Sequence, residues 1–404
     1  MNLSQRLGVN RIVLALSLAR LADALGNSMM VVVLPLYVTS LPSIYLKLPA
    51  PVLIGLLISA FGIVNILFQP LMGALTDRFG HPKRFILAGL LMMGVATFFF
   101  VLAGRFSHLL LIRSLQGLGV AMAVPATLGL MTAATVRETR GGSMGLYSTM
   151  RLVGFSSGPL LAGVLFEAFG FATVFVVGGG LVLLSAFLVH IWVDERNLPP
   201  VDAPLAVTPF RVFDRAIWSR EVIGIGAATV SMAMAYSLMA TLENEFNARL
   251  GQTAIGFGFA YSALTFGRML VQVPLGRLSD RIGRKPVILA GLIAMAPATI
   301  ALGLVGSTLA LTVGCFIQGL ASAAIAGPSL ALVGDLSPIG GEARQMSVVT
   351  TGFFLGTSIG PLLAGGLAVY SFELPFLVGG LLCLLGAWVV YRRVPGSGVV
   401  VISK

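Results

Sequence analysis

The sequence predicts an all-α membrane protein in which twelve transmembrane helices form two related bundles of six. Hydrophobic residues make up 57% of the 404 residues and charged residues only 10%, against about 25% charged in a typical soluble domain. Apolar stretches long enough to cross roughly 30 Å of hydrocarbon recur along the whole chain. Sequence patterns of the first half return in the second at an offset of 202 or 203 residues, so the chain is a duplicated unit.

Each apolar span is predicted as a helix, because a membrane interior offers no water to satisfy exposed backbone amides. The spans are expected at residues 11–38, 52–75, 84–104, 108–134, 143–168, 171–193, 221–242, 252–276, 286–306, 308–334, 343–369 and 374–391. The 49 glycines fit this arrangement, since small residues let transmembrane helices approach closely.

The longest interruption between spans divides the chain into two halves. We expect an N-terminal bundle at 1–193, a linker at 194–220, a C-terminal bundle at 221–392 and a tail at 393–404. The linker contains four prolines and mixed charges, which favours a solvated tether. Its aromatic and basic end, residues 210–220, also fits a short helix lying in the membrane interface.

The net charge of +11 reflects membrane topology and does not indicate a nucleic-acid partner. Nineteen of the 26 lysines and arginines fall on the side of the membrane that holds both termini. Only Lys47, Arg105 and Arg249 fall on the other side. This asymmetry predicts cytoplasmic termini and a cytoplasmic linker. The absence of extended loops favours the plasma membrane of a bacterium or archaeon, with span 1 retained as a signal-anchor.

No sequence pattern predicts catalysis, a cofactor or a metal centre. A G-x-x-x-x-G-K-[ST] loop is absent, which argues against an ATP-driven pump. The histidines His81, His108 and His190 are scattered, and both cysteines fall inside predicted spans. We therefore expect neither a metal site nor a disulfide framework, and the protein is not expected to be an enzyme.

The first repeated pattern follows spans 2 and 8. G-A-L-T-D-R-F-G-H-P-K begins at Gly73, and G-R-L-S-D-R-I-G-R-K-P begins at Gly276. An aspartate at the end of a span can pair with an arginine or bind the positive end of a neighbouring helix. The basic end of the first copy is shifted by His81 and Pro82. The residues of the pattern are Gly73, Asp77, Arg78, Gly80, Gly276, Asp280, Arg281, Gly283 and Arg284.

The second repeated pattern lies inside spans 5 and 11. Glycines at a spacing of four make a smooth face for a partner helix, and a proline locally breaks the hydrogen-bond ladder. The residues of this pattern are Gly154, Gly158, Pro159, Gly163, Gly356, Gly360, Pro361 and Gly365.

These features resemble the major facilitator superfamily over essentially the whole chain. The resemblance implies the major facilitator fold and transport by alternating access between two bundles. Within the superfamily, the chain is similar to the twelve-helix drug:proton antiporter branch. It also implies that the repeated loops latch the cytoplasmic side closed; the other interpretation is that they only fix topology and loop folding. The span 5 motif is associated with antiport and hence export in related transporters, although its copy in span 11 also fits generic packing.

Five ionisable side chains fall inside the spans: Arg20, Asp23, Arg113, Arg151 and Arg268. Because a charge in the bilayer is costly, each is a candidate functional residue. Asp23 and Arg113 are expected at depths of roughly 18 Å and roughly 22 Å from the inner face, so we predict that they pair. Arg20, one turn from Asp23, can take the same carboxylate.

The resemblance implies a role for Arg113 in proton coupling, and a carboxylate that exchanges arginine contacts for desolvation would load and release a proton. The other interpretation is a static ion pair that fixes helix packing.

Two acids, Glu243 and Glu245, lie near the outer end of span 7. They are either simple surface acids or groups that meet a cationic substrate or a proton. The remaining candidates for a substrate cavity are polar side chains and a methionine, which adapts to ligands of varied shape, although ordinary bundle packing also explains them. These candidates are Asn27, Asn65, Gln116, Met232, Tyr236 and Gln318.

The leading hypothesis is a monomeric secondary transporter that uses the proton gradient to export hydrophobic or amphipathic small molecules such as drugs. Arg20, Arg113, Arg151 and Arg268 outnumber the acids inside the spans, so a carrier of lipids, lysolipids or anionic metabolites is the rival hypothesis. A nontransporting sensor of transporter fold is a remote alternative. The sequence does not identify the substrate.

Overall fold

A computed structural model describes residues 10–41, 48–135, 139–194, 219–336 and 342–395. Within these ranges the backbone forms thirteen α-helices and one 3-10 turn, and no strand. The helices are α1 Arg11–Ser40, α2 Ala50–Phe79, α3 Pro82–Phe98, α4 Phe106–Ala133, α5 Arg140–Phe169, α6 Phe171–Trp192, α7 Arg220–Thr241, α8 Glu243–Leu250, α9 Ala254–Ile282, α10 Arg284–Leu302, α11 Thr308–Leu336, α12 Glu342–Ala368 and α13 Leu374–Arg393.

The predicted fold class is confirmed, because twelve of these helices are long and apolar enough to cross a membrane. Spans 1–7 correspond to α1–α7, and spans 8–12 correspond to α9–α13. The 3-10 turn Phe99–Leu102 completes span 3. The largest difference from the predicted boundaries is at the end of α9, which continues to Ile282 rather than to residue 276.

The short helix α8 was not predicted as a separate element. Leu242 leaves helical geometry between α7 and α8, with φ −106° and ψ 21°. Gly251 ends α8 in the left-handed region at φ +59°, where a glycine carries no Cβ penalty. Leu242, Phe246 and Leu250 recur at a spacing of four, which is a helical signal available in the sequence.

The chain divides into two compact units that do not follow the halves of the sequence. Unit 1 consists of residues 1–47, 60–210 and 253–258, and unit 2 consists of residues 48–59, 211–252 and 259–404. The start of α2 therefore belongs to unit 2, and the start of α9 belongs to unit 1. The predicted bundle boundaries remain a prediction. Most of the predicted linker, residues 195–218, and of the tail, residues 396–404, lies outside the described residues.

The apolar core of each unit is made by corresponding helices. In unit 1 it includes Leu16, Ile86, Met131 and Val182. In unit 2 it includes Ile225, Met232, Met295 and Val390. Met232, a candidate for the substrate cavity, is fully buried in this core, which favours the alternative interpretation of ordinary bundle packing.

The glycine-proline motif of α5 brings two other helices into close contact within unit 1. A Cβ at Gly154 would lie 2.7 Å from the carbonyl oxygen of Leu21 in α1, so only glycine fits without displacement. Ser28 of α1 donates a hydrogen bond to the Gly154 carbonyl at 3.2 Å. Further along α5, the Glu167 carboxylate accepts a hydrogen bond from the backbone N–H of Ile255 at 2.9 Å.

The copy of this motif in α12 has the same role within unit 2. A Cβ at Gly356 would lie 2.5 Å from the carbonyl oxygen of Val230 in α7. Ser59, near the start of α2, donates a hydrogen bond to the carbonyl of Ser358 at 2.5 Å. Both copies therefore join two partner helices, which supports their interpretation as packing faces.

Candidate functional site

The buried aspartate of α1 lies in a polar cluster made by its own helix. Asp23 is 4% exposed. Its Oδ2 accepts a hydrogen bond from Nη1 of Arg20 at 2.5 Å, and its Oδ1 accepts one from Nδ2 of Asn27 at 2.6 Å. Both donors lie on the same helical face within about one turn of Asp23. The carboxylate is therefore held by one cation and one neutral amide inside a membrane-spanning helix.

A small cavity borders this cluster inside unit 1. Its lining includes Arg20 and Asp23 from α1, Thr127 from α4, Tyr147 from α5 and Ser185 from α6. Its volume of about 20 Å³ is enough for a water molecule, and several polar side chains border it. The Arg20 guanidinium also lies 5.7 Å from the centre of the Tyr147 ring. A water molecule in this cavity would lie next to the buried carboxylate and would be able to carry a proton.

The predicted ion pair between Asp23 and Arg113 is wrong. Among the described residues the Asp23 carboxylate forms a salt bridge only with Arg20. Arg113 in α4 instead donates to Oε1 of Gln116 at 3.0 Å, and its guanidinium lies 4.7 Å from the centre of the Phe61 ring. Similar depth was a correct reason to compare the two residues, but depth does not determine which face of a helix a side chain occupies.

Gln116 and Gln318 form equivalent hydrogen bonds between helices, one inside each unit, and neither lines an open surface. Gln116 in α4 donates to Thr97 in α3 at 2.8 Å, and Gln318 in α11 donates to Thr299 in α10 at 3.0 Å. Both glutamines are almost completely buried. Each glutamine therefore joins two neighbouring helices, which favours the packing interpretation, and a role in a substrate cavity stays a prediction.

Arg268 and Tyr236 lie in unit 2, on α9 and α7. The Tyr236 hydroxyl shares a hydrogen bond with Thr265 Oγ1 at 2.9 Å. Arg268 forms no salt bridge within the described part of the chain, and its Nε is buried without a hydrogen bond. Arg268 therefore carries a positive charge inside a span, and no described carboxylate pairs with that charge.

The remaining intramembrane candidates are in unit 1. Arg151 in α5 lies 5.4 Å from the centre of the Phe155 ring. Asn65 in α2 is fully buried, and neither polar atom of its side-chain amide has a hydrogen bond in the described structure. Asn65 stands where Arg268 stands in the second half, so both copies place an unsatisfied polar group at this level of the helix.

The two acids after α7 are not equivalent. Glu243 is fully buried and neither of its carboxylate oxygens has a hydrogen bond of normal geometry, whereas Glu245 is only partly buried. Burial raises the pKa of Glu243 well above its ordinary value, and the nearby Asn247 side chain opposes that shift only in part. The interpretation of Glu243 as a simple surface acid is therefore wrong.

The second copy of the repeated loop forms a charged network. Arg284 pairs with Asp280 and with Asp335, the latter at 3.2 Å, and also donates to Ser279 at 2.7 Å. Gly283 before it has φ +98°, which favours glycine. The motif arginine Arg281 forms no salt bridge among the described residues, so the aspartate pairs with Arg284 instead of its neighbour.

The first copy of the loop lacks this network in the described structure. Asp77 is exposed and forms no ion pair there, and neither does Arg78. His81 stands in the place of Arg284. Gly80 keeps the left-handed turn at φ +65°. Both copies therefore place a glycine at positive φ, but among the described residues only the second has its charged pairs.

A lysine at the end of each loop binds the end of a later helix. Lys83 donates to the carbonyls of His190 at 2.8 Å and Val193 at 2.5 Å, at the end of α6. Lys285 donates to the carbonyls of Tyr391 at 3.0 Å and Val394 at 2.5 Å, at the end of α13. Positive charge is favourable where a helix leaves its last carbonyls unpaired. The shift noticed in the first copy thus preserves this contact.

Replacing either lysine with methionine is expected to destabilise its unit by about 1–2 kcal/mol, because charged hydrogen bonds to free carbonyls are lost. Thermal unfolding in detergent measures the effect for Lys83→Met and Lys285→Met. Arg84→Met is the matched control, since Arg84 is exposed and makes no described contact. Equal unfolding temperatures for the lysine variants and this control would contradict the capping role.

Comparisons with known proteins agree with this architecture. The family model described as Major Facilitator Superfamily matches residues 16–243 and 222–402. The multi-drug resistance efflux pump PmrA of Streptococcus pneumoniae is 25% identical over 320 residues, which cover 78% of this chain and 79% of the pump. The synaptic vesicular amine transporter of Homo sapiens is 26% identical over 335 residues, covering 80% of this chain and 63% of that protein.

Solved structures share the fold at low sequence identity. A bacterial homologue of the human lysosomal transporter Spinster, solved in an inward-facing and occupied conformation, superposes with a TM-score of 0.77 at 16% identity. The match covers 94% of this chain and 95% of that one. The human organic anion transporter MFSD10 gives a TM-score of 0.71 at 17% identity, covering 96% and 100% of the two chains.

Proposed function

Because the chain belongs to the major facilitator superfamily, we propose that it is a secondary transporter that exports hydrophobic or amphipathic small molecules in exchange for protons. That it is a multi-pass membrane transporter of this family follows from the family match and the twelve spans. The direction, the coupling ion and the substrate class are the proposal. We place it in the plasma membrane of a bacterium or archaeon, with cytoplasmic termini, working as a monomer.

The observation that carries the proposal is the Asp23 cluster. A carboxylate held at 4% exposure inside a spanning helix is costly unless it has a role or is well compensated. Asp23 is compensated by one arginine and one amide, and it borders a cavity of water size. The similarity to a multi-drug resistance efflux pump supports drug-like substrates.

A second candidate function is transport of anionic amphiphiles such as lipids. It is favoured by Arg113 and Arg268, which form no salt bridge among the described residues. A phosphate or carboxylate of a substrate would supply the missing negative charge, because a planar guanidinium binds such groups through two parallel hydrogen bonds.

Reconstitution in liposomes containing a pH-sensitive dye tests both functions. A pH gradient is imposed and cationic, neutral and anionic amphiphiles are added in turn. Proton flux that follows addition of a cationic or neutral compound, and that persists in Arg268→Gln, would support the proposed function. Flux only with anionic lipids, lost in Arg268→Gln, would support the second candidate. Substrate movement without proton flux would overturn proton coupling.

A further inference from the structure

The carboxyl group of Glu243 is buried in unit 2, where only the nearby Asn247 side chain opposes the cost of burial. The residue is fully buried, and neither oxygen has a hydrogen bond of normal geometry. Thr241, two residues earlier, is also fully buried and its hydroxyl lacks a described partner. Buried polar groups are nearly always hydrogen-bonded, so an exception in a folded protein requires a reason.

The docking of α8 creates this burial. α7 ends at Thr241, and α8 begins at Glu243 after the break at Leu242. Phe246 then packs edge-on against Phe372 and Phe376, with ring centroids 4.9 Å and 5.6 Å away. This aromatic cluster holds the first turn of α8, which begins at the buried Glu243.

The outer face of α8 is held by an exposed contact. Arg249 donates to the Glu373 carboxylate at 2.7 Å, and its guanidinium lies 4.1 Å from the centre of the Phe372 ring. The hydrogen bond with Arg249 lowers the pKa of Glu373. Exposed ion pairs contribute little to stability. The main attachment of α8 is therefore the packing of Phe246. The protonation state of the buried Glu243 affects this docking.

The charges around Glu243 do not compensate an ionised carboxylate. No lysine, arginine or histidine of the described residues forms a salt bridge with it. The titratable groups on α8 and in contact with it are Glu245 and Arg249 on α8 and Glu373 before α13. Burial also raises the pKa of Glu245. Arg249, the cation among them, is exposed and bound to Glu373. Burial in this setting raises the pKa of Glu243 well above 4.5.

We propose that Glu243 is a proton-binding site that acts as a latch, keeping α8 docked on unit 2 while it carries a proton and releasing α8 when the proton leaves. Burying an ionised carboxylate at this position would cost several kcal/mol of free energy. Deprotonation therefore requires α8 to move away and admit water. The place of this latch in a transport cycle rests on the proposed function, whereas the latch itself rests on the geometry of unit 2.

The sign of the pH dependence follows from the raised pKa. A carboxyl group that binds its proton more tightly when docked stabilises the docked state fully at low pH. Between its ordinary value of 4.5 and the raised pKa, docking weakens by about tenfold per pH unit. Above the raised pKa the loss is complete. Glutamine at this position has no proton to lose, so docking of a Glu243→Gln variant is independent of pH.

Hydrogen exchange of residues 243–250 tests the latch in purified full-length protein. Wild type and Glu243→Gln are compared at each pH between 5 and 9, so that the chemical exchange rate cancels. We expect nearly equal exchange at low pH, and faster exchange in wild type by about tenfold or more at high pH. Glu245→Gln is the comparison variant, because burial also raises the pKa of this neighbouring acid and leaves one of its oxygens without a hydrogen bond. Loss of the pH dependence in Glu245→Gln but not in Glu243→Gln would overturn the assignment to Glu243.

Infrared spectroscopy supplies a second readout that needs no stable variant. The carbonyl stretch of a protonated carboxyl should persist in wild type well above pH 4.5, and the part of this band that belongs to Glu243 should be missing in Glu243→Gln if that variant folds. Loss of this band near pH 4.5, or an exchange ratio that does not change with pH, would overturn the latch. Neither hydrogen exchange nor infrared spectroscopy requires transport. If the liposome experiment contradicts the proposed function, both measurements still test the latch.

Discussion

Replacing Asp23 with asparagine is expected to lower proton-coupled flux by about tenfold or more, the size of a typical coupling between two binding events. Asparagine keeps the shape of the side chain but cannot exchange a proton. It also leaves Arg20 without its carboxylate inside the membrane-spanning part of α1. The flux is measured in proteoliposomes under an imposed pH gradient, with substrate binding measured separately in detergent.

The same substitution should destabilise the fold, because removing one member of a buried pair leaves an uncompensated charge. A cost near 3 kcal/mol is expected, since the Arg20 side chain keeps 17% exposure and part of its hydration. The double variant Arg20→Gln/Asp23→Asn should recover most of this stability while flux stays low. Recovery of flux in the double variant would show that Asp23 has only a structural role.

Alanine at Gly154 or Gly356 is expected to destabilise the protein by about 1–3 kcal/mol, the usual cost of overpacking a close contact. At Gly356 the new Cβ would lie 2.6 Å from the Cβ of Ala233, and at Gly154 it would lie 2.8 Å from the backbone nitrogen of Leu25. Backbone atoms cannot move aside without separating the two helices. Thermal unfolding and the yield of monodisperse protein in detergent measure the effect.

Two glycines of the same helices are matched controls. Nothing lies within 4 Å of a Cβ added at Gly145 in α5 or Gly366 in α12. Alanine there should be neutral or stabilising by up to about 1 kcal/mol through helix propensity. If Gly154→Ala unfolds at the same temperature as Gly145→Ala, the close approach of α1 and α5 is not required for stability.

The sequence predicted the fold almost completely because its signals are local. Each span is a continuous apolar stretch, and the duplicated loops and glycine motifs mark the same positions in both halves. α8 escaped prediction because it contains only eight residues and one helical repeat of apolar side chains. The lysine caps were also missed, since Lys83 and Lys285 differ by one position in the repeat and bind residues more than 100 positions away.

The candidate site was predicted less well, because partners depend on which face of a helix each side chain occupies. Asp23 was predicted as a site residue from its charge inside a span, but its predicted partner Arg113 contacts Gln116 and Phe61 instead. The helix that begins at Glu243 is held by Phe246 packing against Phe372 and Phe376, residues far away in the chain. Such contacts leave no trace in local hydropathy.

Residues 48–59 belong to unit 2, and residues 253–258 belong to unit 1. This exchange of segments affects how each half of the sequence folds. We therefore expect that neither half of the sequence folds on its own, because each unit contains the start of a helix from the opposite half. Pro361 and Gly365 would lose Gly55 and Pro51 if the second half were made alone. Separately expressed halves should therefore be proteolysed in the cell, whereas co-expressed halves should protect each other.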